Sequence, residues 1–171
     1  MKKCVLAAAC GAVLFSGCAM MEEKETTASA TLEPRSGSNV RGTVTFTQVG
    51  DLVRVSGSVT GLTKGPKGFH IHDKGDCSAP DAMSAGGHFN PTKSKHGGPY
   101  EPAKHAGDLG NLAFSPAGEA KFSFVVGDIS VSSSRPDGII GRAVVVHAAA
   151  DDLKTDPTGN SGGRVACGVI K

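Results

Sequence analysis

The chain has 171 residues with Gly 24, Pro 9 and no Trp, enough for one domain with a real core and a composition that favours a turn-rich all-β protein over a helical bundle. Its formal charge is +2, and without Lys2 and Lys3, which lie in the leader read below, 16 basic side chains face 16 acidic ones. That balance, with no Lys/Arg block, gives no basis for a nucleic-acid partner.

Residues 1–17, MKKCVLAAACGAVLFSG, place two lysines before an apolar core and small residues before Cys18, the layout of an export signal. The apolar run is too short for a permanent membrane span. Ser16-Gly17 before Cys18 resembles a bacterial lipoprotein box, which would make Cys18 the lipidated N-terminus, although Phe15 is an unusual occupant of its position. An ordinary secretory signal cut nearby would put the protein in the same compartment, the periplasm or cell envelope. Residues 18–27 are small, charged and polar and read as a flexible tether to a domain spanning 28–171. If Cys4 and Cys10 leave with the leader and Cys18 carries lipid, Cys77 and Cys167 remain of the five cysteines, enough for one disulfide in an oxidising compartment. Its loop of roughly 90 residues is worth about 4 to 5 kcal/mol in the chain-entropy account.

Strand patterns follow at residues 29–34, 40–49 and 52–62. Val44, Phe46 and Gln48 alternate with threonines, Val53 and Val55 alternate with polar residues until Gly57 interrupts the count, and Gly50-Asp51 supplies a hairpin turn. Residues 68–73 form a fourth strand, in which His70 and His72, two apart, share a face. From Lys74 to Gly110 no period is sustained, and a structureless loop of that length is usually functional. Strands resume at 111–115, 119–126 and, as an apolar β-branched run buried on both faces, 139–147. A second irregular stretch, 148–163, precedes the last strand at 164–170. The expected fold is all-β, a Greek-key β-sandwich or barrel of about eight antiparallel strands with two long functional loops.

Five of the six histidines lie between Gly68 and Asp108, and the sixth, His147, ends a later strand. A lone strand histidine is more often a core or surface residue than a ligand, but here six need one explanation. His88, His96, His105 and Asp108 form a loop series whose last members, HxxD, can close on one ion. Three nitrogens and a carboxylate suit zinc, while several imidazoles without carboxylate suit copper. Six histidines and one aspartate divide into two sites if one histidine is shared.

The segments GFHIHDKGDCS, GGHFNP, HGGP, HAGDLGN, IIGRAVVVH, ADDL and GGRVACGVI, in this order, resemble copper/zinc superoxide dismutase from about residue 28 to 171. The resemblance implies dismutation of superoxide to oxygen and hydrogen peroxide, with one copper and one zinc per subunit. It places the copper ligands at His70, His72, His88 and His147 and the zinc ligands at His88, His96, His105 and Asp108, with His88 bridging and exchanging a proton. Asp151 corresponds to a carboxylate joining a copper ligand to a zinc ligand, against the plainer reading of a turn cap. Arg164 corresponds to the anion-binding arginine, oriented through the Cys77–Cys167 bridge, and Thr158 to the other side of a narrow entry. Ala148 stands where animal members have a glutamate, and the loop before Arg164 is shorter than theirs. Lys93, Lys95, Lys104 and Lys154 are candidates for a guiding field. The alternative is a periplasmic copper/zinc binding or buffering protein without turnover. A homodimer is left open, and the only expected membrane contact is the N-terminal lipid.

Overall fold

The computed structural model describes residues 25–171. The leader, Cys18 and the tether up to residue 24 lie outside the described residues. Eight strands follow: β1 (Thr27–Pro34), β2 (Arg41–Val49), β3 (Leu52–Thr60), β4 (Gly65–His72), β5 (Asp108–Phe114), β6 (Glu119–Val126), β7 (Ala143–His147) and β8 (Arg164–Val169). All ladders are antiparallel, in the order β5-β4-β7-β8-β1-β2-β3-β6. Consecutive strands β5 and β6 lie at the two ends of this order, so the sheet curls into a nearly closed barrel. The non-consecutive pairs β1–β8, β3–β6 and β4–β7 give it its Greek-key connections.

Alternation dictates the core. Ala28, Ala30 and Leu32 of β1, Val44 and Phe46 of β2, and Val53, Val55 and Val59 of β3 point inward. Phe69 of β4 packs its ring 5.4 Å from that of Phe122 on β6. Each fully buried side chain of this size contributes about 1.5–3 kcal/mol.

The structure corrects the expected strands at several places: β4 begins at Gly65 rather than residue 68, and β5 at Asp108 rather than residue 111. Gly57 does not interrupt β3: it pairs with Val44 and Phe122 in unbroken ladders, and a Cβ there would come within 3.1 Å of the Phe122 ring. Thr27, assigned to the tether, opens β1 opposite Thr47. Residues 139–142 belong to a turn, closed by Arg142 N–H to the Ile139 carbonyl at 3.1 Å, so β7 begins only at Ala143.

The apolar run of β7 is buried on both faces because two cores meet there. Val144 and Val146 belong to the barrel interior. Ala143 and Val145 face outward into a second cluster with Ala82, Ala85 and Cys167, covered by the loop after β4. That loop is joined to β8 by a Cys77–Cys167 disulfide with Cα atoms 5.8 Å apart. Long-loop residues also extend the sheet beside β4, through Phe89 N–H to the Ile71 carbonyl at 2.8 Å and Ile71 N–H to the Gly107 carbonyl at 2.9 Å. The long loop is therefore held to the barrel along the strand that carries His70 and His72.

Candidate metal centre

The pleat of β4 sends His70 and His72 to one face, both fully buried. His147 reaches them from the end of β7, and His88 enters from the long loop through a bridge to His72. The ring centroids of His70 and His88 are 4.0 Å apart. The Arg142 guanidinium lies 3.5 Å from the ring centroid of the adjacent Phe89 and also bonds Asp73, which fixes the path of the chain leading away from His88. Donor atoms of His70, His72, His88 and His147 form one group, and those of His88, His96, His105 and Asp108 form another, each within 4.8 Å. His88 belongs to both.

The ring nitrogens of the first group are aimed at a common point. His72 Nδ1 donates to the Gly86 carbonyl at 2.9 Å and His147 Nδ1 donates to the Gly162 carbonyl at 3.2 Å. Each neutral ring then presents a bare Nε2, and the two Nε2 atoms face each other at 3.4 Å. His70 Nε2 donates to Asp151 Oδ2 at 2.7 Å, leaving a buried Nδ1 without a partner, and His88 Nε2 is orphaned in the same way. Lone pairs gathered in a dry interior are costly unless a cation joins them. Burial, reinforced by neighbouring rings, lowers the pKa of His70 to about 4 and that of His147 to about 3, and pushes His72 well below its ordinary value. These rings are in the ligating form at neutral pH.

In the second group three Nδ1 atoms crowd one carboxylate. Those of His88, His96 and His105 lie 2.8, 3.1 and 3.2 Å from Asp108 oxygens. Asp108 also accepts the backbone N–H of His105 at 2.9 Å. Burial would raise its pKa, but the His88 and His96 contacts win and hold it well below the carboxylate range. His96 donates from Nε2 to Asp151 Oδ1 at 2.9 Å. Burial would lower its pKa, yet Asp108 and Asp151 together raise it to about 10. His96 Nδ1, like the two orphaned nitrogens, has no hydrogen-bond partner of good geometry. Three imidazoles with a carboxylate fit zinc, and four imidazoles fit copper.

Asp151 reaches both groups, bonding His70 through one oxygen and His96 through the other. It also caps the turn at Leu153 N–H at 2.7 Å, so the plainer reading describes part of its role. A cavity of about 550 Å³ opens above His72, His88 and His147, and Thr158 and Arg164 line its wall. Burial lowers the pKa of the half-buried Arg164, opposed by nearby Asp81. Arg164 Nη1 donates to the Ala82 carbonyl at 2.8 Å, a group in the disulfide-tethered loop.

Residues 40–170 match the family described as copper/zinc superoxide dismutase (SODC). The chain belongs to the copper/zinc superoxide dismutase family. The crystal structure of the clock protein EA4 is similar to it over 84% of this chain and 92% of that one, with 48% identity and a TM-score of 0.77. As a dismutase of this family, the protein converts two superoxide anions and two protons into dioxygen and hydrogen peroxide, with copper and zinc as cofactors.

Lys104 does not contribute a free charge to the dismutase surface: its side chain is 7% exposed and its Nζ sits 2.6 Å from Asp128. Lys93, Lys95 and Lys154 are exposed. Three residues of the site carried no signal of their own in the sequence. Asn111 clamps Asp151 at both backbone ends, accepting its N–H at 2.8 Å and donating to its carbonyl at 2.9 Å. Gly159 lies directly over the Asp151–His96 bond: a Cβ there would collide with Asp151 Oδ1 and come within 2.6 Å of His96 Nε2. Asp156 accepts the His96 backbone N–H at 2.7 Å and faces His105 Nε2 at 3.7 Å. Gly159 and Asp156 lie outside every quoted segment, and Asn111, although it ends the HAGDLGN segment, has a role that only its fold contact with Asp151 reveals.

Proposed function

We propose that His70, His72, His88 and His147 hold the copper, that His88, His96, His105 and Asp108 hold the zinc, and that the enzyme works outside the cytoplasm. The observation that carries the site assignment is the membership of His88 in both donor groups, at the floor of a cavity lined by an arginine. When bound, copper would supply one-electron redox cycling there, and zinc would supply a fixed charge that changes no oxidation state.

The protein's own groups do the rest. Arg164 draws the small anion into the cavity, because guanidinium stays charged at working pH even where burial lowers its pKa. Thr158, on the same wall, narrows the entry. His88 Nε2, buried at the cavity floor without a hydrogen-bond partner, is placed to hold a proton for the reduced anion whenever it is not engaged with the metal. Asp151 fixes the tautomers of His70 and His96, the role of outer carboxylates on ligating rings. Exposed Lys93, Lys95 and Lys154 supply the longer-range attraction.

Residues 1–17 act as the export signal of a bacterial envelope protein, Cys18 carries the lipid, and the tether leads to the domain that begins near residue 28. The paired Cys77 and Cys167 support an oxidising compartment. The intact mass of the mature protein tests the export reading: a diacylglyceryl-modified N-terminal Cys18 is expected, and an unprocessed Met1 would overturn it. Copper and zinc content, measured with the rate of superoxide decay, tests the assignment of the site.

A further inference from the structure

We propose that Arg35 and Ser36 are positioning residues for the Arg164 guanidinium, stapling the 77–82 loop to β8 so that the Ala82 carbonyl aims the arginine into the anion cavity. The proposal rests on Arg164 being the anion-binding group.

The two residues form the turn that follows β1, in the sequence PRSGS, and each bonds both partners. Toward β8, Arg35 N–H donates to the Val165 carbonyl at 2.9 Å and Ser36 Oγ donates to the Arg164 carbonyl at 2.8 Å. Toward the loop, Arg35 Nε donates to the Cys77 carbonyl at 2.7 Å and Ser36 N–H to the Pro80 carbonyl at 2.7 Å. Arg164 is thus gripped at both ends, its carbonyl by Ser36 Oγ and its Nη1 by the Ala82 carbonyl at 2.8 Å.

The disulfide alone does not fix that carbonyl. It holds the loop at Cys77, five residues before Ala82; within the loop Ala82 N–H bonds the Ala79 carbonyl at 2.9 Å and Ala85 N–H the Ala82 carbonyl at 3.2 Å, so the loop is a compact unit whose placement against β8 is still to be set. Bonds at the Cys77 and Pro80 carbonyls add the further anchors that define a plane. Ala82 itself is a left-handed alanine, φ 58 and ψ 17, a conformation that costs about 1–2 kcal/mol without glycine. It is fully buried and receives that support from the cluster under the loop. A carbonyl acceptor on a left-handed residue, held from several sides and pointing at a cavity arginine, is the pattern of a functional constraint. Ser36 also lines the same cavity as His72, His147 and Arg164.

The test uses the copper- and zinc-loaded enzyme with azide as the anion probe. Arg35→Lys and Ser36→Ala leave the net charge unchanged, so a change in the long-range field is not a competing cause. Each is expected to weaken azide binding by about two- to tenfold, the range of one lost hydrogen bond. Metal content and the ionic-strength dependence of the superoxide rate should stay those of the parent. In an Arg164→Ala background neither substitution should weaken azide binding further. If Arg164→Ala weakens azide binding while Arg35→Lys and Ser36→Ala leave it unchanged, or if they cost as much without Arg164 as with it, the positioning role is wrong. If Arg164→Ala itself leaves azide affinity unchanged, the anion-binding assignment fails and takes this proposal with it. Should Arg35→Lys lose metal, Ser36→Ala decides the question, since the bond it removes is at the surface.

Discussion

His147 and Arg164 stand opposite each other in the β7–β8 ladder, just past a register shift at Val146. Strand register, more than loop conformation, therefore sets a histidine of the first donor group beside the cavity arginine. Arg164→Ala should keep both metals, because none of its bonds is to a donor ring, and should slow the superoxide reaction by about one to two decades, the order expected for loss of local anion attraction. Equal rates in variant and parent would reject its role.

Asp151 serves two rings with two oxygens, and an amide can accept from only one of them. Asp151→Asn should weaken the affinity for at least one metal by about 10–100-fold, the usual cost of losing an outer carboxylate. Competition with chelators of graded strength measures this. Unchanged affinity for both metals would show that the rings orient themselves.

The pH dependence of zinc binding has a definite sign. His96 keeps its extra proton up to about pH 10 in the metal-free protein, because Asp108 and Asp151 outweigh burial. Zinc must displace it, so near pH 7 binding should release about one proton and tighten by about tenfold per pH unit. Calorimetry in buffers of different ionisation enthalpy reads the proton directly, and no release would contradict the assignment. For metal-free stability, a folded pKa above the ordinary value of 6.5 means that the His96 contribution is complete below pH 6.5 and is lost as pH rises toward 10. His70 and His147 act oppositely. Their folded values of about 4 and about 3 make stability fall as pH drops below 6.5.

Gly159→Ala should cost about 2–5 kcal/mol, summing overpacking with a left-handed backbone at φ 62. The added methyl also pushes apart Asp151 and His96, so zinc affinity should fall together with the melting temperature. A variant that melts like the parent and binds zinc equally would show that the loop yields freely.

The strand pattern and the donor set were legible in the sequence for physical reasons. A period of two marks β2, β3 and β6, and histidine is scarce enough that six in one chain, three of them in one unpatterned loop, demand a common cause. The lower boundary of β7 was not legible. Ile139 and Ile140 are as apolar as the strand itself, and only the turn to Arg142 separates them. Gly57 looked like a break because composition does not reveal that Phe122 fills the space beside it. Lys104 looked like a surface charge because Asp128, 24 residues away, meets it only in the fold. Arg35 and Asp156 escaped for a related reason, as did the role of Asn111: polar residues whose partners are backbone groups leave no sign of those partners along the chain.

His88, shared between two donor groups, is the proposed centre of this copper/zinc dismutase. The most direct test of that role is the decay of a radiolytic pulse of superoxide with the purified protein, followed against measured copper and zinc content. Catalysed decay should rise in proportion to bound copper, be absent in the metal-free protein and be lost in His88→Ala. Protein carrying both metals that decays superoxide no faster than buffer would contradict it.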